Sequence, residues 1–230
     1  MHMSTKQAIF TLMGGRVKFH RGTYNPTSDA VWLAAFAASF NARTVLDVGI
    51  GTGGVSLCLQ SHTPHAQITG LDTSLEMLTQ CADNAELNSV NLELIHTDIE
   101  QWRTARTFDM VITNPPYFNG TPAKHNAHHN ANLSGWISRC IARVKPMGTF
   151  CIITDASTLG QVISEMAQKL GDITVIPLFG SKPTAERILI SGRLGTKGIS
   201  KIYSGFSMNY APILRDGLTI ADILSKLGQK

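Results

Sequence analysis

The chain is an α/β protein by its sequence, built on a doubly wound, mostly parallel sheet. Three features predict this. From Thr44 onward, short β-branched runs alternate with stretches whose apolar residues recur at helical spacing. Successive strand-like runs end on Gly, Asp or Asn-Pro, which gathers polar residues along one edge of the sheet. Across 230 residues, 43% are hydrophobic and only 16% charged, enough to pack a core and too apolar for a disordered chain.

Each element follows in order. Phe10 to His20 alternates as a short hairpin, and Thr27 to Phe40 is a buried helix. Val45 to Val48 is the first core strand, followed by a glycine-rich turn and a helix to about Gln60. Gln67 to Leu71 is the second strand, with Asp72 at its end. Ser74 can cap the next helix, whose Leu75, Leu78, Ala82 and Ala85 recur at helical spacing. Asn91 to Ile95 and Phe108 to Ile112 are the third and fourth strands. The fourth runs into Asn114-Pro115-Pro116-Tyr117, where two prolines forbid further strand or helix. A helix over 132–144 ends at Lys145-Pro146-Met147-Gly148, then come a strand from Thr149 to Ile153 and a helix over 157–170. Asp172 to Leu178 and Arg187 to Ser191 lie too close for a crossover helix, so they form an antiparallel hairpin. The expectation is a seven-stranded mixed sheet, last strand antiparallel, with helices on both faces. One domain spans 1–230: a hairpin and helix over 1–42, the core over 43–195 and a basic tail over 196–230, with a short helix near Thr219 to Leu227.

Composition excludes several classes. The longest mainly apolar stretch, Val31 to Phe40, is ten residues, far short of a membrane span. Ala8 to Met13 is a poor signal sequence, which points to a cytoplasmic protein. Cys58, Cys81, Cys140 and Cys151 have no metal-like spacing and read as reduced core residues. The net charge of +4 is unevenly divided. Residues 1–115 carry seven basic and ten acidic side chains (−3), residues 116–230 thirteen and six (+7). A polyanionic partner would meet the second half.

The first strand leads into Asp47-Val48-Gly49-Ile50-Gly51-Thr52-Gly53-Gly54. Gly49, Gly51 and Gly54 satisfy G-x-G-x-x-G, and Asp72 lies about 20 residues on, placed to accept from ribose hydroxyls. That alone serves NAD or S-adenosylmethionine equally. Asp47 would oppose a pyrophosphate but suits a sulfonium, and Asp98, at the end of the third strand, can accept from an adenine amino group. Three carboxylates at three strand ends favour the cationic cofactor.

Asn114-Pro115-Pro116-Tyr117 is the most informative motif. A planar amine such as adenine N6 is a poor nucleophile because its lone pair is delocalised. The Asn114 side-chain oxygen and the Pro115 carbonyl can each accept one amine hydrogen and draw the nitrogen toward tetrahedral geometry. The Pro-Pro pair aims that carbonyl outward, and Tyr117, helped by Phe118, can stack on the base.

These motifs, in this order, resemble those of class I S-adenosylmethionine-dependent amino-methyltransferases with a Rossmann-like fold. The nearest likeness is to the bacterial tRNA(Val) adenine-37 N6-methyltransferase family. That finer likeness rests on Gly14-Gly15-Arg16 leading to Pro26-Thr27-Ser28-Asp29, on Lys182-Pro183 before Arg187-Ile188-Leu189-Ile190, and on Ile213-Leu214-Arg215. It implies that Asp47, Gly49, Gly51, Gly53, Asp72 and Asp98 hold S-adenosylmethionine, with S-adenosylhomocysteine as product, and that Thr27 and Asp29 stand near its methionine end. It implies a tRNA substrate and catalysis by Asn114, Pro115, Pro116 and Tyr117.

Rivals remain at this level. A protein glutamine methyltransferase usually carries a helical domain before the glycine motif, and only 46 residues precede Asp47. A guanine N2 ribosomal methyltransferase often has Phe at the position of Tyr117. Cytosine C5 chemistry needs a Cys after Pro, which is absent. A nicotinamide oxidoreductase leaves the Asn-Pro-Pro-Tyr run unexplained, and an RNA-binding module is the non-enzyme alternative. His125, His128 and His129 lack a companion carboxylate or Cys, so no metal is expected there. Lys124 and His128 are instead candidates for RNA contact, as are Arg16, Lys18 and Arg21 before the core and Lys182 and Arg187 toward the C-terminus. A monomer is favoured.

Overall fold

In the computed structural model, which describes residues 8–22, 24–116 and 133–227, the chain opens with a two-stranded hairpin. Strands β1 (Ile9–Leu12) and β2 (Val17–His20) pair antiparallel, Phe10 opposite Phe19. Val17 and Phe19 turn inward while Lys18 faces solvent, as strand alternation requires. Helix α1 (Ser28–Ala37) follows, with the Thr27 hydroxyl capping it by accepting from the Asp29 amide. Every residue from Asp29 to Ala37 is buried. A helix apolar on all sides must be enclosed, and this one is.

The core alternates strand and helix. Its strands are β3 (Thr44–Val48), β4 (Gln67–Asp72), β5 (Glu93–His96), β6 (Phe108–Thr113), β7 (Val144–Asp155), β8 (Leu170–Phe179) and β9 (Ala185–Leu194). Helices α2 (Gly54–His62), α3 (Leu75–Leu87), α4 (Leu133–Ile141) and α5 (Leu159–Met166) connect them. The sheet order is β5-β4-β3-β6-β7-β9-β8, with β9 antiparallel to both neighbours and the other pairs parallel. Successive residues of β3 serve opposite faces. Val45 joins the cluster under α1 and α2, and Leu46 joins the cluster under α4 and α5.

Several expected boundaries move. Strand β7 starts at Val144, ahead of Thr149, because Lys145 to Gly148 bulge out between Val144, opposite Phe108, and Thr149, opposite Met110. Pro146 has no amide to donate and Met147 sits at φ 65°, so these residues leave the ladder without ending the strand. Strand β5 closes at His96, two residues before Asp98. Helix α5 stops at Met166, which frees Leu170 to begin β8.

The tail is more ordered than its composition suggests. Strands β10 (Lys201–Ile202) and β11 (Phe206–Ser207) add in parallel to the outer edge of β8, so the seven long strands gain two short ones. Helices α6 (Ala211–Leu214) and α7 (Ile220–Leu227) bring Ile213, Ile220 and Ile223 against α1. Trp32 Nε1 donates to the Met208 carbonyl at 3.1 Å, pinning the tail to the helix. Cys58, Cys81, Cys140 and Cys151 are free and buried, and burial pushes the Cys58 thiol up to about 12. No helix among the described residues is long and apolar enough to cross a membrane.

Candidate active site

Strand order reverses between β3 and β6, and the crevice beyond the carboxyl ends of such strands is where α/β sheets bind ligands. The last paired residues there are Val48 and Thr113. The next residue on β3 is Gly49 and the next on β6 is Asn114, so the glycine turn and the Asn-Pro-Pro run face each other across one strand spacing, about 4.8 Å.

The glycine turn is folded back onto β4. Gly49 and Ile50 donate to the Leu71 carbonyl at 2.8 and 2.9 Å, and Gly51 donates to Asp72 Oδ2 at 2.8 Å. Gly49 sits at φ 76°, and a Cβ there would lie 3.4 Å from the Trp136 ring. At Gly54 a Cβ would meet Pro26 at 2.6 Å, so the segment leading into Thr27 packs directly on the start of α2. This is how the N-terminal segment reaches the site.

Asp47 is buried beneath the turn. Ser56 Oγ donates to its Oδ2 at 2.7 Å, while Oδ1 is buried with no hydrogen-bond partner among the described residues. Burial pushes its carboxyl up to about 7, the Ser56 bond opposing and the nearby Asp72 charge adding. The Thr52 hydroxyl is likewise buried and without a partner among the described residues. Asp72 Oδ1 accepts from the Ser74 amide at 2.9 Å, fixing the carboxylate at the end of β4. Asp98 Oδ1 accepts from the Glu100 amide at 2.8 Å in the turn after β5. Two unsatisfied buried oxygens within a row of carboxylates fit a ligand that is cationic and rich in hydrogen-bond donors. S-adenosylmethionine fits that description and a dinucleotide does not.

Pro115 is buried and Pro116 exposed beyond Asn114. Tyr117, Phe118, Lys124, His128 and the rest of the histidine-rich segment lie outside the described residues. Asp29 is buried at the start of α1, where Arg187 Nε donates to its Oδ2 at 3.1 Å. The same guanidinium reaches Asp155 Oδ2 at 3.3 Å, joining α1, β7 and β9. That gives Arg187 two carboxylate partners, opposite Asp155 at the carboxyl end of β7.

The remaining basic residues separate. Lys182 is exposed in the β8–β9 turn, on the strand-end side of the sheet that carries the site. Arg193, six residues beyond Arg187, is about 20 Å away along β9. Arg16 donates to the Asp216 carbonyl and lines a groove beside Thr44, Gln67 and Phe108, where strands begin. Lys18 faces solvent and its backbone pairs with Asn88 at the end of α3, and Arg21 stands 5.6 Å over the Phe10 ring.

Four residues gave no sequence signal. Ser56 holds Asp47. Asn84, fully buried, donates to the Thr52 carbonyl at 3.0 Å and accepts from the His20 amide at 2.8 Å, tying β2 to the glycine turn. Thr113 and Trp136 bridge the two turns. Each contact spans elements, so no local spacing reveals it.

Comparison with known proteins bears on the family and the fold. Residues 19–177 match the methyltransferase small domain family model. The chain is 28% identical over 152 residues to the tRNA1(Val) (adenine(37)-N6)-methyltransferase of Glaesserella parasuis, covering 63% of this chain and 64% of that protein. It is 36% identical over 108 residues to the Vibrio cholerae protein of that name, covering 46% and 45%. The match thus spans less than two thirds of these relatives' lengths. Among solved structures, a predicted O-methyltransferase from Agrobacterium tumefaciens superposes with a TM-score of 0.65 at 19% identity, covering 87% of this chain and 95% of that one. A T. thermophilus 16S rRNA guanine-N2 methyltransferase, in complex with S-adenosylmethionine and guanosine, gives 0.61 at 19% identity, covering 82% and 50%. The fold is that of the methyltransferases, and with the family model matching well over half of its length, the chain belongs to the methyltransferase small domain family.

Proposed function

We propose that this chain transfers a methyl group from S-adenosylmethionine to the N6 amine of an adenine in tRNA, at position 37 of the anticodon loop of tRNA-Val, in the cytoplasm. The observation that carries it is the pairing of Val48 with Thr113, which sets Gly49 opposite Asn114. The bound cofactor supplies an electrophilic methyl group. Asp47, the turn from Gly49 to Gly53, Asp72 and Asp98 hold it, with Thr27 and Asp29 at its methionine end. Asn114 Oδ1 and the Pro115 carbonyl accept the two amine hydrogens. They restrain the amine so that its lone pair points along the line of transfer, and no strong base is needed because the nitrogen acidifies as it is methylated. Tyr117 and Phe118 stack the base, which is splayed out of its loop. Lys182, Arg21, Lys124 and His128 contact RNA phosphates in this reading. Asn114→Ala should lower turnover by about 100-fold or more while S-adenosylhomocysteine binding by calorimetry stays within about threefold. Labelled methyl groups should appear as N6-methyladenosine in tRNA. Label on guanine N2 or on a protein glutamine would sink the substrate assignment.

A further inference from the structure

Trp136 stands where the two halves of the site meet. Its Nε1–H donates to Thr113 Oγ1 at 3.1 Å, and the Thr113 hydroxyl donates in turn to the Val48 carbonyl at 2.8 Å. Thr113 immediately precedes Asn114, and Val48 immediately precedes Gly49. The ladder between β3 and β6 ends at this pair, so beyond it, among the described residues, no backbone bond holds the two turns in register. The hydroxyl supplies that closure from a fully buried position. The edge of the indole ring rests 3.4 Å from where a Gly49 Cβ would stand. One side chain thus abuts the glycine turn with its ring and is bonded to the residue before Asn114 with its nitrogen. The deeply buried face of α4 is formed by Leu133, Ile137, Cys140 and Ile141, and Trp136 remains only half-buried beside it.

We infer that Trp136 and Thr113 act as a spacer that sets the distance between the glycine turn and Asn114. Both are positioning residues. The inference rests on the methyl-transfer reading, in which that spacing governs how donor and acceptor meet. Displacing reacting groups by about 1 Å costs roughly 100-fold in rate, so a spacer should act on kcat more than on binding.

The test uses the full chain with Trp136→Phe, Thr113→Val and the double variant. Turnover is measured on tRNA, S-adenosylhomocysteine affinity by calorimetry, fold stability by urea unfolding and ligand response by tryptophan fluorescence. Trp136→Phe keeps a ring and removes the N–H, and Thr113→Val removes both hydroxyl bonds at nearly constant shape. Each single change should lower kcat about tenfold or more, with cofactor KM and S-adenosylhomocysteine affinity within about threefold. The double variant should be no slower than Thr113→Val alone, because both changes delete one shared bond. Of the three tryptophans, Trp32 is fully buried in α1 and Trp102 packs on Phe108 at the start of β6. S-adenosylhomocysteine should therefore shift the emission of the wild type and leave Trp136→Phe silent. Wild-type kcat in Trp136→Phe, kcat losses that add in the double variant, or losses that merely track the urea midpoint would each overturn the spacer. A wild-type chain that bound no S-adenosylhomocysteine would instead overturn the methyl-transfer reading and take this inference with it.

Discussion

Asp47 shows most directly how single residues set the chemistry. Its carboxyl titrates near 7 in the fold, against an ordinary value of 3.8, chiefly because it is buried. Between those two pH values the folded protein holds a proton that the unfolded chain has lost. The Asp47 contribution to the stability of the ligand-free protein should therefore fall as pH rises from about 4 to 7, by up to about 1.4 kcal/mol per pH unit, while His62, whose pKa burial lowers, works the other way. Asp47→Asn should flatten that slope. Urea unfolding of both proteins at pH 5 and pH 8 checks it, and the same pH difference in the native chain and the variant would count against the assignment. Asp47, the glycines, Asp72 and Asn114 were all legible in the sequence because each punctuates a strand end, a local signal. Arg187 was legible as a basic residue but not as the partner of Asp29, 158 positions away. Trp136 carried no signal either, since its partner Thr113 lies 23 residues back on a different element.

At the scale of elements, the strand–helix alternation and the final antiparallel hairpin follow from periodicity and loop length, and the fold has both. The entry into β7 was not legible, because a Pro-Met-Gly run reads locally as a stop and only the ladder with β6 shows that the strand resumes across it. The two short strands of the tail were invisible for a related reason. Two-residue elements have no period, and the edge of β8 alone defines them. The hairpin was legible, but its attachment was not. Asn84 holds β2 to the glycine turn through its amide, with both ends of that amide bonded. Asn84→Ala would leave the Thr52 carbonyl and the His20 amide without this partner, at a cost of about 2 kcal/mol. Amide exchange at Phe19 and His20 should accelerate, and S-adenosylhomocysteine should bind more weakly. Unchanged exchange at both amides would show that the tie is dispensable.

For the whole molecule, the split between an acidic first half and a basic second half has a spatial meaning narrower than the sequence suggested. The carboxylates Asp47, Asp72 and Asp98 do share one edge of the sheet with Asn114. The basic surplus does not follow them: Lys182 is on that edge, whereas Arg193 lies about 20 Å down β9. RNA bound at the site should feel the first and not the second. Lys182→Ala should weaken RNA binding and lower its salt-dependence slope by about 1, and Arg193→Ala should do neither. Filter binding across a salt series distinguishes them, and equal effects would mean that RNA wraps both ends of the sheet. The way α1 is enclosed has a consequence for synthesis. Trp32 is bonded to Met208, 176 residues later in the chain. At about 5–20 residues per second, the ribosome needs roughly 9–35 s to make that interval. For that time a helix apolar on every side has emerged without its cover, which makes it a natural client for the chaperones that shield nascent chains.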